Sequence, residues 1–231
     1  MFKRKEKLKL IGNCPSDGLA ELFPMQKASL PEWFKHLPKN DLTNQSHNNV
    51  RVCSGLTDLY SRAVTIPMWQ DMSITIDPIG GVHIDAPQPN WSASTHPIDS
   101  QAPGAWPGYV NVKLTSPWVV ECAKPVQWTM IQPVWDQKTP EDYIVIPGNL
   151  EFKYQNQSNV NLLFPIPNNT KTYNFRAGES IAMLVPNFEE DFDVVCQFMD
   201  NDRWSRIMAG RWIFTRGPAY ARLRSLLRNK K

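Results

Sequence analysis

The chain has 231 residues, enough for one domain with attachments, and its 42% hydrophobic content with nine Trp and ten Phe excludes a disordered polymer. No apolar run approaches the ~18 residues of a membrane-spanning helix, and twenty Pro argue for many short segments. Charge is uneven: residues 1–9 hold five Lys/Arg and one Glu (+4), residues 10–200 eleven basic and twenty acidic residues (−9), and residues 201–231 nine basic and one acidic (+8).

The opening MFKRKEKLKL is basic with no apolar stretch behind it, so no secretory leader is expected. Residues 1–50 read as an extended arm, because Pro15, Pro24, Pro31 and Pro38 each forbid a long helix across them. Within it, LPEWFKHLP fits one helical turn with Pro31 at the first helical position. Its Trp33, Phe34 and Leu37 are then set to dock on the body or on a neighbour. SGLTDLYSRAVTIP predicts a short helix ending before Pro67, with Leu56, Leu59, Tyr60 and Ala63 on one face. In MWQDMSITIDPIGGVHID, Met72, Ile74 and Ile76 alternate with polar residues. That pattern predicts a half-buried strand, with Pro78 to Gly81 turning into Val82 and Ile84.

Residues 85–108 read as a long loop, a kind of segment often functional or partner-facing. Its Trp91 and Trp106 are expected to be buried, under the loop or at a subunit contact. Strand-like runs resume at YVNVKLTSPWVVEC, VQWTMIQPVW, YIVIPGNLEFKY, VNLLFPIP, KTYNFRAGESIAMLVP and FDVVCQFM, with a turn signal about every ten residues. The period then becomes helical in DRWSRIMAGRWIF and PAYARLRSLLRNKK. The expected fold is mainly β, a jelly-roll-like sandwich or barrel over residues 51–200, with the arm before it and a basic, partly helical segment over 201–231. Cys14, Cys53, Cys122 and Cys196 form no CxxC pair, so reduced, mostly buried thiols are expected.

Two resemblances add to this reading. IPGNLEF, VNLLFPIPNN and YNFRAGESIAMLVP follow the cadence of the dUTPase and dCTP-deaminase barrels, in which Gly178 would make a tight left-handed turn and Ile181, Met183 and Val185 would alternate inward. Those enzymes carry an Asp after the Pro-Gly turn; here the segment is Gly148-Asn149-Leu150-Glu151, and their phosphate-binding segment has no counterpart. Over about residues 31–190, the order PEWFKHLP, CSGLTDLYSRAVTIPMWQDMSI, SPWVVECAKPVQWTMIQPVW, VIPGNLEF and AGESIAMLVP resembles an uncharacterised protein family of tailed bacteriophages, including marine ones. That resemblance implies phage origin and a β-rich body without assigned chemistry.

Three clusters carry candidate chemistry. His83 and Asp85 in VHID share one face of a strand, the spacing used by iron(II) oxygenases on double-stranded β-helices. A second His ligand would have to be His96, His36 or His47. The acidic run NFEEDFD, with Glu189, Glu190, Asp191 and Asp193, offers hard oxygen ligands but lacks a Gly-punctuated Ca²⁺ loop, and reads as a solvated turn. The basic residues Lys3, Arg4, Lys5, Lys7 and Lys9, with Arg222, Arg224, Arg228, Lys230 and Lys231, suit nucleic-acid phosphates, a membrane surface or the acidic body of a neighbouring subunit, and of these the first and the last are the expected partners.

Together these point to a phage virion structural or assembly protein, acting by subunit–subunit binding without a cofactor and assembled in the host cytoplasm. Its partners would be other virion proteins and itself, as a homo-oligomer, with nonspecific nucleic-acid contact through the basic termini and no membrane. The partner-binding residues are Trp33, Phe34, Trp91, Trp106, Arg222, Arg224, Arg228, Lys230 and Lys231. The alternatives are an iron-dependent oxygenase using His83 and Asp85, and a non-virion phage protein that binds a host factor.

Overall fold

The structure, a computed structural model, describes residues 7–38, 50–88, 92–96, 104–133, 135, 142–153 and 155–214, with side chains to Ile207 in the last helix. The first half contains β1 (Leu8–Cys14), α1 (Asp17–Leu22), β2 (Gln26–Lys27), α2 (Glu32–His36), α3 (Ser54–Arg62), β3 (Val64–Pro67), β4 (Met72–Ile76), β5 (Val82–Asp85), β6 (Ala93–His96) and β7 (Tyr109–Leu114). There follow β8 (Val119–Cys122), β9 (Trp128–Ile131), β10 (Ile144–Val145), β11 (Gly148–Leu150), β12 (Val160–Pro165), β13 (Lys171–Phe175), β14 (Ser180–Pro186), β15 (Phe192–Phe198) and α4 (Asn201–Phe214). Among the described residues no helix is long and apolar enough to cross a membrane.

The protein is mainly β, built from four open sheets ordered β15-β1-β8, β10-β12-β7-β6, β11-β9-β14-β3-β2 and β13-β4-β5. None closes into a barrel, so the sandwich reading holds and the barrel reading does not. Three antiparallel pairs nest in the sequence: β3 with β14, β4 with β13 and β7 with β12. Such nesting is what a long two-stranded hairpin leaves when it folds over on itself, the jelly-roll pattern. All four sheets contribute to one core, through side chains such as Leu10, Ile66, Ile74, Leu162 and Leu184.

A smaller cluster of Phe34, Leu56, Tyr60, Ala63 and Met183 lies between α2, α3 and β14. The amphipathic face expected over 54–63 is thus the face that α3 buries. Strand β14 departs from the expected inward alternation, because Ile181, Ala182, Met183 and Leu184 are all buried. The main core takes Ile181, Ala182 and Leu184 while Met183 and Val185 pack under the helices, so both faces of the strand are covered.

The expected arm over residues 1–50 is corrected in part. Leu8–Cys14 is the central strand of its sheet, parallel to β15 over seven residue pairs and antiparallel to β8. The cause is visible in Lys7-Leu8-Lys9-Leu10: Leu8 and Leu10 are buried and Lys9 is exposed, a period of two that suits a strand. The loop expected over 85–108 likewise contains β6, paired with β7 from Ala93↔Leu114 to His96↔Asn111.

Gly178 adopts the left-handed turn expected of it, with φ +88°. Its N–H donates to the Met68 carbonyl at 2.7 Å, and Met68 N–H donates to the Glu179 carbonyl at 2.7 Å, so the turn is stitched to the end of β3. Phe23 is 3.4 Å from where a Cβ would sit, an ordinary contact, so Gly178→Ala should cost only the backbone penalty. A loss of about 1–2 kcal/mol is expected in urea denaturation; an unchanged midpoint would mean that the turn relaxes freely.

Candidate interaction surfaces

The parallel pairing of β1 with β15 decides where the basic segments leave the body. Leu8 lies beside Phe192 and Cys14 beside Phe198, so residue 7 and α4 sit at opposite ends of the pair. Seven residues at about 3.3 Å each separate them by roughly 20 Å. At the first end, Lys7 bridges Asp191 at 2.6 Å and Asp193 at 3.8 Å, and this contact holds the Asp191 carboxyl below its usual range. Lys124 takes Glu190 at 2.6 Å. The run NFEEDFD is therefore threaded with lysines, and Lys7 is bound within its own chain.

At the other end, α4 is moored across the sheet. Trp204 Nε1 donates to the Pro117 carbonyl at 3.1 Å, and Arg203 reaches Glu121 at 3.6 Å. Arg222, Arg224, Arg228, Lys230 and Lys231 lie outside the described residues, as does Trp91.

Of the expected aromatic anchors, Phe34 is 5% exposed and belongs to the small core cluster. Its apolar ring docks on the chain's own helix α3, which removes it from the partner-binding set. Trp33 stays half exposed, its Nε1 donating to the Trp135 carbonyl at 2.9 Å and its ring 5.6 Å from the Trp135 ring. The pair makes an aromatic step on the surface that the sequence spacing of 102 residues gives no means of seeing.

Trp106 is 47% exposed, so it is not buried under its own loop; the other expected place for it, a subunit contact, is one that a single chain leaves open. Among the described residues it is the one non-glycine with positive φ, +56°, between Gly104 at +75° and Gly108 at +80°. Its ring packs edge-on to Tyr109 at 5.7 Å. Trp106 and Tyr109 rim a cleft of about 640 Å³ whose walls include Ile79, Thr95, His96 and Asn111.

His83 and Asp85 do share a face, as their spacing requires, but it is the solvent face of the β13-β4-β5 sheet, opposite Thr75 and Ser73. Among the described residues no three His, Cys, Asp or Glu side chains converge to hold a metal ion; His47 lies outside them. Glu151, in the segment compared with the barrel enzymes, is buried at 2% exposure. The thiols of Cys14 and Cys122 are buried and raised in pKa by desolvation, and partly buried Cys196 is pushed up to about 11 by the same cause. These three are poor nucleophiles. Cys53 is the exposed member of the four, all of which are free thiols.

No family model, curated protein or solved structure matches this chain.

Proposed function

We propose that this chain is a structural component of a tailed-phage virion that works by binding its neighbours, not by catalysis. The observation that carries the reading is the parallel β1–β15 pair, which sends two basic segments from opposite ends of a body of net charge −9. A subunit of that kind offers cations to an acidic neighbour on each side, which favours head-to-tail association. The resemblance over residues 31–190 supports the phage setting, and the surface pair Trp33–Trp135 supplies aromatic contact area of the sort that anchors interfaces. The other virion proteins and further copies of this chain are its partners; the basic ends also suit nucleic-acid phosphates.

Analytical ultracentrifugation of the full chain, and of a chain lacking residues 217–231, tests this reading. The full chain should associate at about 0.05 M salt and dissociate near 1 M, where the screening length falls to about 3 Å. The shortened chain should stay folded and associate at least tenfold more weakly. Peptides of this chain should occur in purified, DNA-filled particles. Absence from particles, or association unchanged by both salt and truncation, would overturn the proposal.

A further inference from the structure

We propose that the cleft beside Trp106 is a binding site for a neutral saccharide, independent of the assembly reading. The first support is the backbone. A Trp at φ +56° occupies a conformation that costs an L-residue about 1–2 kcal/mol, and this chain holds it there between two left-handed glycines. Tyr109 N–H donates to the Trp106 carbonyl at 3.2 Å, and its ring meets the Trp106 ring edge-on at 5.7 Å. The loop therefore spends strain to present a flat, preorganised aromatic face that is 47% exposed.

The second support is the chemistry of the lining. No Asp, Glu, Lys or Arg occurs among the described lining residues, in a chain whose surface is otherwise rich in charge. Among the described residues, phosphates, nucleotides and cationic ligands find no counter-ion in this lining. The described polar groups are hydrogen-bonding side chains: the Thr95 hydroxyl, the His96 ring and the Asn111 amide. Ile79, 91% exposed, and Trp106 supply apolar surface opposite them.

A pyranose matches this division. The weakly positive C–H edges of one sugar face pack on the negative face of an indole, while its ring of hydroxyls both donates and accepts hydrogen bonds. The cleft volume, about 640 Å³, lies within the ~300–1,000 Å³ of small-molecule sites.

The test is saturation-transfer NMR and titration of the full chain with neutral oligosaccharides: maltohexaose, cellohexaose, chitohexaose and a mannan fragment. At least one should bind with Kd in the millimolar range or tighter, transferring saturation through its ring protons. Trp106→Asn is the key variant, because Asn tolerates positive φ and the loop backbone is kept while the ring is lost. It should weaken binding about tenfold or more with the melting temperature unchanged, and Trp106→Tyr should restore most of the affinity. Three results would overturn the proposal: no binding by any neutral probe at about 10 mM, affinity unchanged in Trp106→Asn, or binding of an anionic polysaccharide alone.

Discussion

Trp128→Ala should be the most damaging single truncation in the molecule, costing about 3–5 kcal/mol in equilibrium unfolding. The indole is 0% exposed and packs edge-on against Phe192 at 4.8 Å and Phe188 at 5.2 Å, with Phe152 at 6.4 Å. Trp128 stands on β9 of the five-stranded sheet and Phe192 opens β15 of another, so this ring joins two sheets that share no strand. Removing it leaves a void lined by three aromatic rings that cannot all collapse inward. Against a total stability of about 5–15 kcal/mol, that is enough to unfold a sizeable fraction of molecules at 37 °C. Trp128→Phe should recover most of the loss, since it keeps a ring in place. A cost below about 1 kcal/mol for the alanine variant would mean that the sheets are held together elsewhere.

Asn13→Ala should cost about 2 kcal/mol, more than its small volume suggests, because its amide serves three strands. From the central strand β1, Nδ2 donates to the Val119 carbonyl at 3.2 Å and to Glu121 Oε2 at 3.0 Å on one neighbour. Oδ1 accepts from Gln197 Nε2 at 2.8 Å on the other. The residue is 0% exposed, so water does not replace these bonds. Glu121 also meets Arg203, and the same substitution should therefore loosen α4 from the sheet. Chemical denaturation measures the first effect, and hydrogen exchange over residues 201–207 the second. A double-mutant cycle with Gln197→Ala should show coupling of at least about 0.5 kcal/mol; strict additivity would dissolve the network.

Local pattern made some of this legible and not the rest. The alternation in Met72–Ile76 marks β4, and the i, i+3, i+4 spacing in Ser54–Arg62 marks α3, because each element buries the face its own period creates. Strand β6, Ala93–His96, has no such period; its place is set by β7 alongside it, so its own residues carry no signal. Strand β1 does alternate, but its partner on β15 is 184 residues away and its lysines and the prolines behind it suggested an arm. That Trp106 is not covered by its own loop goes with a positive φ, which hydrophobicity alone does not reveal. Phe34 and Trp33 are neighbours with opposite fates, one in the small core and one on the surface, decided by the turn that α2 makes over α3.

The placement of β1 also orders events during synthesis. Leu8–Cys14 leaves the ribosome long before Phe192–Phe198 exists to pair with it. At about 5–20 residues per second, some 10–40 s separate the two. Only in the later part of that interval does the strand have β8 to lean on, and nothing stands on its other side until β15 appears, so its sheet is finished last. The pairing of two strands so far apart in sequence is the step most exposed to a chaperone or to a misdirected neighbour.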